Sequence, residues 1–189
     1  SASIESRVAA IFTYGQLLGE KANTGLASLT NDTKVREFAL RALADRKPLS
    51  NKAPIEPFLA GLQDNNPRVQ AAAAIGLGRI NRADTAKALL SAAIPPAPMK
   101  ASTQKGHQGG PHATPHSAVV IPHLAVQSLV SLNATEACLA AIDSPSQDGA
   151  LWALRLMHDP KVVDGLIRNL SSSNDKNLQN KILTALARL

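Results

Sequence analysis

Residues 61–80, GLQDNNPRVQAAAAIGLGRI, decide the fold. The stretch reads as the end of one helix, a tight Asp64-Asn65-Asn66-Pro67 corner, and a second helix rich in small residues. Upstream, Pro54 to Leu62 sets Ile55, Phe58, Leu59 and Leu62 on one apolar stripe at helical spacing. Pro54 and Pro57 are placed in the first turn of that helix, where backbone N–H groups have no intrahelical partner to lose. Asp and Asn at the corner compete with helical hydrogen bonding and favour a turn. Pro67 suits the first turn of the next helix. Val69, Ala72, Ala73, Gly76, Leu77 and Ile80 then recur on one face, and their small side chains let backbones approach closely. Two helices joined by a short corner cannot bury such a face alone, so they need neighbours of the same kind.

Copies of the unit run along the chain. Val35, Ala39 and Leu43 recur as Val69, Ala73 and Leu77, each 34 residues later. Ser3 to Leu18 reads as an entry helix stopped at Gly19. Thr24 to Leu29 and Val35 to Ala44 form the first pair around Asn31-Asp32-Thr33. Arg46 to Ala53 is a connector. Thr85 to Ile94 opens a third unit, and helical pattern resumes near Pro122. Ile121, Ala125, Leu129 and Leu132 follow Val69, Ala73, Leu77 and Ile80 by 52, so about 18 extra residues interrupt that pair. The interruption, roughly residues 95 to 120, begins with Pro95-Pro96-Ala97-Pro98 and has no periodicity, which predicts a long inserted loop. Thr135 to Ile142 with Asp148 to Met157, and Val162 to Leu170 with Leu178, Ile182, Leu186 and Leu189, complete the series. The predicted fold is all-α: a right-handed α-α superhelix of four to five helix pairs, one repeat domain over residues 1–189. The chain begins at Ser1 and stops at Leu189 within a helical pattern, which predicts a fragment of a longer protein.

Composition bounds the function. Aromatics make up 3% of the residues, so Ala and Leu carry the core. A net charge of +6 favours an acidic partner or surface. The single Cys138 excludes an internal disulfide framework. No apolar run approaches the length of a membrane span.

The residues resemble HEAT-like repeats, of the short variety called phycobilisome-lyase-type. Leu62-x-Asp64-x-x-Pro67-x-Val69, followed by Ala72-Ala73-x-x-Gly76-Leu77, carries the likeness. A second copy is Leu29-x-x-Asp32-x-x-Val35-Arg36-x-x-Ala39-x-x-Ala42-Leu43. Arg36 fits the family's Val-Arg pair; Gln70 stands there in the next unit, which interrupts an Asp–Arg ladder. His112 to Leu132 resembles repeat regions of large bacterial proteins that also carry a dehydrogenase-like propeller and a c-type haem domain. The haem motif Cys-x-x-Cys-His is absent from this sequence. That likeness implies a periplasmic or cell-envelope setting; otherwise the expectation is cytoplasmic.

Three functional readings follow. The first is a non-enzymatic scaffold that binds protein through the concave face or the inserted loop. Its contact residues are Arg36, Arg41, Arg68, Arg79, Gln127 and Arg155, with His107, His112 and His116 in the loop. The second is a ligand or metal module of a cytochrome-linked redox protein, with His107, His112, His116 and His123 as candidate ligands, since imidazoles commonly bind zinc and copper. Pro111 and Pro115 stop a helix from presenting His112 and His116 together, and no Asp, Glu or Cys lies between Thr85 and Thr135 to complete a site. Lys100, Lys105 and Gly106, Gly109 and Gly110 in the same window are read as a solvated loop. The third is DNA binding through Arg36, Arg41, Arg68, Arg79, Arg155, Lys181 and Arg188, which would line the concave face of the stack. Glu37, Asp64, Asp84, Asp148 and Asp175 interleave with them, and aromatics to stack on bases are few. No nucleophile motif appears, so neither an enzyme nor a cofactor is expected. Trp152 and Cys138 are expected to pack.

Overall fold

The computed structural model describes residues 2–46, 51–96 and 117–189. Eleven α-helices occur among the described residues, and no strand. The entry helix α1 is Ile4–Leu18. Five pairs follow: α2 Asn23–Leu29 with α3 Arg36–Leu43, α4 Glu56–Leu62 with α5 Pro67–Ile80, and α6 Ala86–Ala92 with α7 Val120–Ser131. The last two are α8 Thr135–Ala140 with α9 Gln147–Leu154, and α10 Pro160–Ser172 with α11 Lys176–Leu186. The chain is therefore an α-α solenoid. The second helices α3, α5, α7, α9 and α11 pack in sequence, each on the next, with α1 ahead of α3. The first helices α4, α6, α8 and α10 form the other layer.

Each corner between paired helices that lies within the described residues uses one local device. A side-chain oxygen accepts the backbone N–H two residues on. Asp32 accepts from Lys34 (2.9 Å), Asp64 from Asn66 (2.8 Å), Ser144 from Ser146 (3.1 Å) and Ser173 from Asp175 (3.1 Å). Such turns offer the chain an alternative to helix and so end it. At two of these corners the following helix is also capped, Asn66 and Asp175 each accepting an N–H from its first turn, and Asp159 caps α10 in the same way. Asn81, which ends α5, takes up φ 57°, a left-handed cap that Asn tolerates.

One apolar cluster runs from Ile11 to Ala185, built largely of Ala and Leu. Small residues set how closely helices meet, both between the layers and within one. A Cβ on Gly76 would lie 2.2 Å from the fully buried ring of Phe58, so α4 seats its largest side chain directly on the α5 backbone. Gly78 does the same for Ser128 of α7, whose hydroxyl donates to the Ala74 carbonyl (2.8 Å).

Several boundaries differ from the sequence reading. Helix α4 begins at Glu56, so Pro54 lies ahead of it and only Pro57 occupies its first turn. Helix α6 is confined to residues 86–92, because Thr85 closes a 3-10 turn by donating to the Arg82 carbonyl. Helical structure is present ahead of Pro122, with a 3-10 turn at 117–119 leading into α7. Helix α9 stops at Leu154, and Leu189 lies beyond the end of α11. The centre of the predicted insertion, residues 97–116, lies outside the described residues.

Candidate functional site

Among the described residues, three grooves follow the layer of second helices. The first lies between α3 and α5 beside Phe12 of α1; its walls include Glu37, Arg41, Arg68, Ile75 and Arg79. The second lies between α5 and α7, between Ile75 and Arg79 on one side and Leu124, Gln127 and Ser131 on the other. Ile75, Arg79 and Asp45 border both, so these two grooves are continuous. The third lies between α9 and α11 and is bordered by Trp152, Arg155 and Lys181.

The sequence-predicted contact residues divide among these places. Arg41, Arg68 and Arg79 come together in the first groove, and Gln127 joins Arg79 in the second. Arg155 stands apart in the third; partial burial, and then the nearby charge of Arg188, pull its guanidinium below its ordinary pKa. Arg36 borders none of the three. Its Nη1 donates to Asp64, and its Nε donates to the Thr30 carbonyl (2.6 Å), an acceptor left open at the end of α2. Arg36 is a clip between successive pairs. Arg7 repeats the device one step earlier, donating to Asp32 (2.5 Å). Among the described residues the ladder has two rungs, and Gln70 stands where the next arginine would be. These acids respond as clipped carboxylates. The Arg7 guanidinium, then the Lys34 N–H, hold Asp32 below the ordinary range; the Asn66 N–H, then Arg36, do so for Asp64.

Glu37 was read as an acid opposing the arginines. Its two oxygens instead meet Arg68 (3.1 Å) and Arg41 (3.4 Å), so it positions both. The spacing of Glu37 and Arg41, one helical turn apart, was the available signal for half of this. Ile75 was missed because it falls off the buried stripe of its own helix. In the third groove Lys181 is held by Asp148 (2.8 Å) and Gln147 (2.7 Å).

His107, His112 and His116 lie outside the described residues, as do Lys100, Lys105, Gly106, Gly109 and Gly110. His123 packs its ring against Trp152, with centroids 5.9 Å apart, which joins α7 to α9. Among the described residues no three His, Cys, Asp or Glu side chains cluster as a metal site. Cys138 is buried, and burial pushes its thiol up to about 12, so it is a small core residue rather than a nucleophile. No helix among the described residues is long and apolar enough to cross a membrane.

Comparison with known proteins agrees with the architecture. No curated protein matches the chain. A family model described as HEAT repeats matches residues 24–102, from α2 through α6 and a little beyond. Residues 24–102 are thus similar to HEAT repeats, and the later pairs continue the same two-layer helical stack.

Proposed function

We propose that this chain is a non-enzymatic interaction scaffold that holds a protein partner in the continuous groove along α3, α5 and α7. One observation carries the reading: exposed Arg41, Arg68 and Arg79 surround an exposed Ile75 where neighbouring repeats meet. Polar and cationic groups around an apolar centre are the anatomy of a protein-binding patch. HEAT repeats generally mediate protein–protein interaction, which agrees with it. The proposal includes the finer likeness to the phycobilisome-lyase-type variety, which rests on the Asp-x-x-Pro-x-Val and Val-Arg patterns. It also treats the chain as one module of a larger protein. Exposed Leu17 on α1 and Ile167 and Leu183 on the last pair support that part, since a solenoid covers such faces with a further repeat or a cap.

Site-specific photo-crosslinking tests the groove. A crosslinking residue at Gln127 or Ile75 is compared with one at the exposed Lys87 of α6, a first helix, in extract of the source cells. Protease-sensitive adducts from the groove positions alone are expected. Nuclease-sensitive adducts, or equal labelling from Lys87, overturn the reading.

A further inference from the structure

Two arginines from successive repeats share one shielded carboxylate. The Glu37 side chain is 15% exposed, whereas Arg41 is 55% and Arg68 71% exposed above it. A guanidinium carries five N–H donors in a rigid fork, and the recorded contact to Glu37 uses one nitrogen of each. Glu37 therefore fixes the two groups in place while most of each stays open to solvent. Along α5, Arg68, Ala72, Ile75 and Arg79 follow at helical spacing on one face, so the cations flank Ile75, which is 40% exposed. Ala72 and Gly76 keep the groove floor low.

We propose that this strip binds an acidic segment of a protein partner: a stretch of Asp and Glu around an aliphatic side chain. Carboxylates meet Arg41, Arg68 and Arg79, and the aliphatic group covers Ile75. The inference rests on the groove holding protein, and it adds the chemistry of what is held. The charge pattern selects the occupant. The inserted residues 97–116 contain Lys100 and Lys105 and no acid, so this chain's own insertion has the wrong sign. Nucleic acid is disfavoured because the cations are confined to α3 and α5 around an apolar centre, and α7, the next second helix, carries no Lys or Arg to continue a track for successive phosphates.

Fluorescence anisotropy of the full chain with short labelled peptides tests this. The probes are an Asp/Glu peptide with a central Leu, the same peptide with Ser for Leu, its Asn/Gln counterpart, and a mixed-sequence DNA duplex. The acidic Leu peptide is expected to bind best, and more weakly as salt rises. Arg41→Ala with Arg68→Ala should weaken it about tenfold or more. Ile75→Ser should erase the preference for Leu over Ser. Arg82→Ala, an exposed arginine paired with Asp84 on the link after α5, should change nothing. Helical circular dichroism and thermal midpoint show that each variant is folded. Equal binding of the Asn/Gln peptide, preference for the duplex, or indifference to the double variant overturns the inference. If these peptides fail while groove crosslinks to protein persist, only the acidic partner is lost; if both fail, the scaffold reading falls as well.

Discussion

Arg36 of α3 donates to Asp64, the residue that turns the corner between α4 and α5, 28 positions later in the chain. Arg7 of α1 does the same to Asp32, the corner residue of the preceding pair. Each acid thus ends a helix with one oxygen and receives the neighbouring repeat with the other. At the two later corners within the described residues the turn residue is Ser144 or Ser173. A hydroxyl preserves the turn but offers no charge for an arginine.

Breaking the second rung is expected to destabilise the first half of the solenoid. Arg36→Ala strands a largely buried carboxylate and removes a donor from Thr30, at a cost of about 1.5–3 kcal/mol in urea unfolding. Asp64→Asn keeps the size but loses the charge and should cost less.

The same carboxylates set an acid limit. Asp32 and Asp64 are held below their ordinary pKa in the fold, so they bind fewer protons there than in the unfolded chain. Their contribution is fully present above the unfolded carboxylate range and is lost as pH falls through the folded values. Thermal midpoints measured from neutral to acid pH should fall, and the fall should be shallower in the Asp32→Asn, Asp64→Asn double variant.

Two glycines separate packing from helix propensity. A Cβ on Gly149 would lie 2.5 Å from the Ala93 carbonyl oxygen, a backbone atom that cannot swing aside. Gly149→Ala should cost about 1–3 kcal/mol by overpacking. Gly15 in α1 would meet only Leu26 Cδ1, at 3.6 Å. Gly15→Ala should stabilise by about 0.5–1 kcal/mol through helix propensity. Chemical unfolding of both variants checks the opposite signs.

Phe58 is the largest fully buried side chain, seated on Gly76. Phe58→Ala should cost about 3–5 kcal/mol. Adding Gly76→Ala should recover part of that loss, because the new methyl enters the emptied space. A double-mutant cycle measures the recovery.

Cys138 gives a probe of opening. Its thiol is buried and raised to about 12, so thiol reagents should label it slowly in native protein and rapidly in denaturant. Fast native labelling would show that α8 opens locally.

The pairing of helices was legible because it follows from short-range chemistry. The 34-residue recurrence of Val35 as Val69, the corner at Asp64–Pro67 and the stop at Gly19 each act within a few residues of themselves. Pro54 was misplaced for the same reason: proline is compatible with a first turn, but it does not say on which residue the helix begins. The candidate site was legible only in part. Arg41, Arg68, Arg79 and Gln127 stood out as polar positions on second helices, and they do line one continuous groove. Arg36 stood out equally and is turned to Asp64 instead.

By itself, then, the sequence determined that this protein is all helical, that its helices come in pairs, and that small residues on the second helix of each pair let the pairs stack. Periodicity, turn chemistry and side-chain size are properties of neighbouring residues, so they can be read from the chain. Only the tertiary structure decided which charges meet. Glu37 reaches Arg68, and Arg36 turns to Asp64, across two repeats, and such distances depend on how successive pairs stack rather than on neighbouring residues.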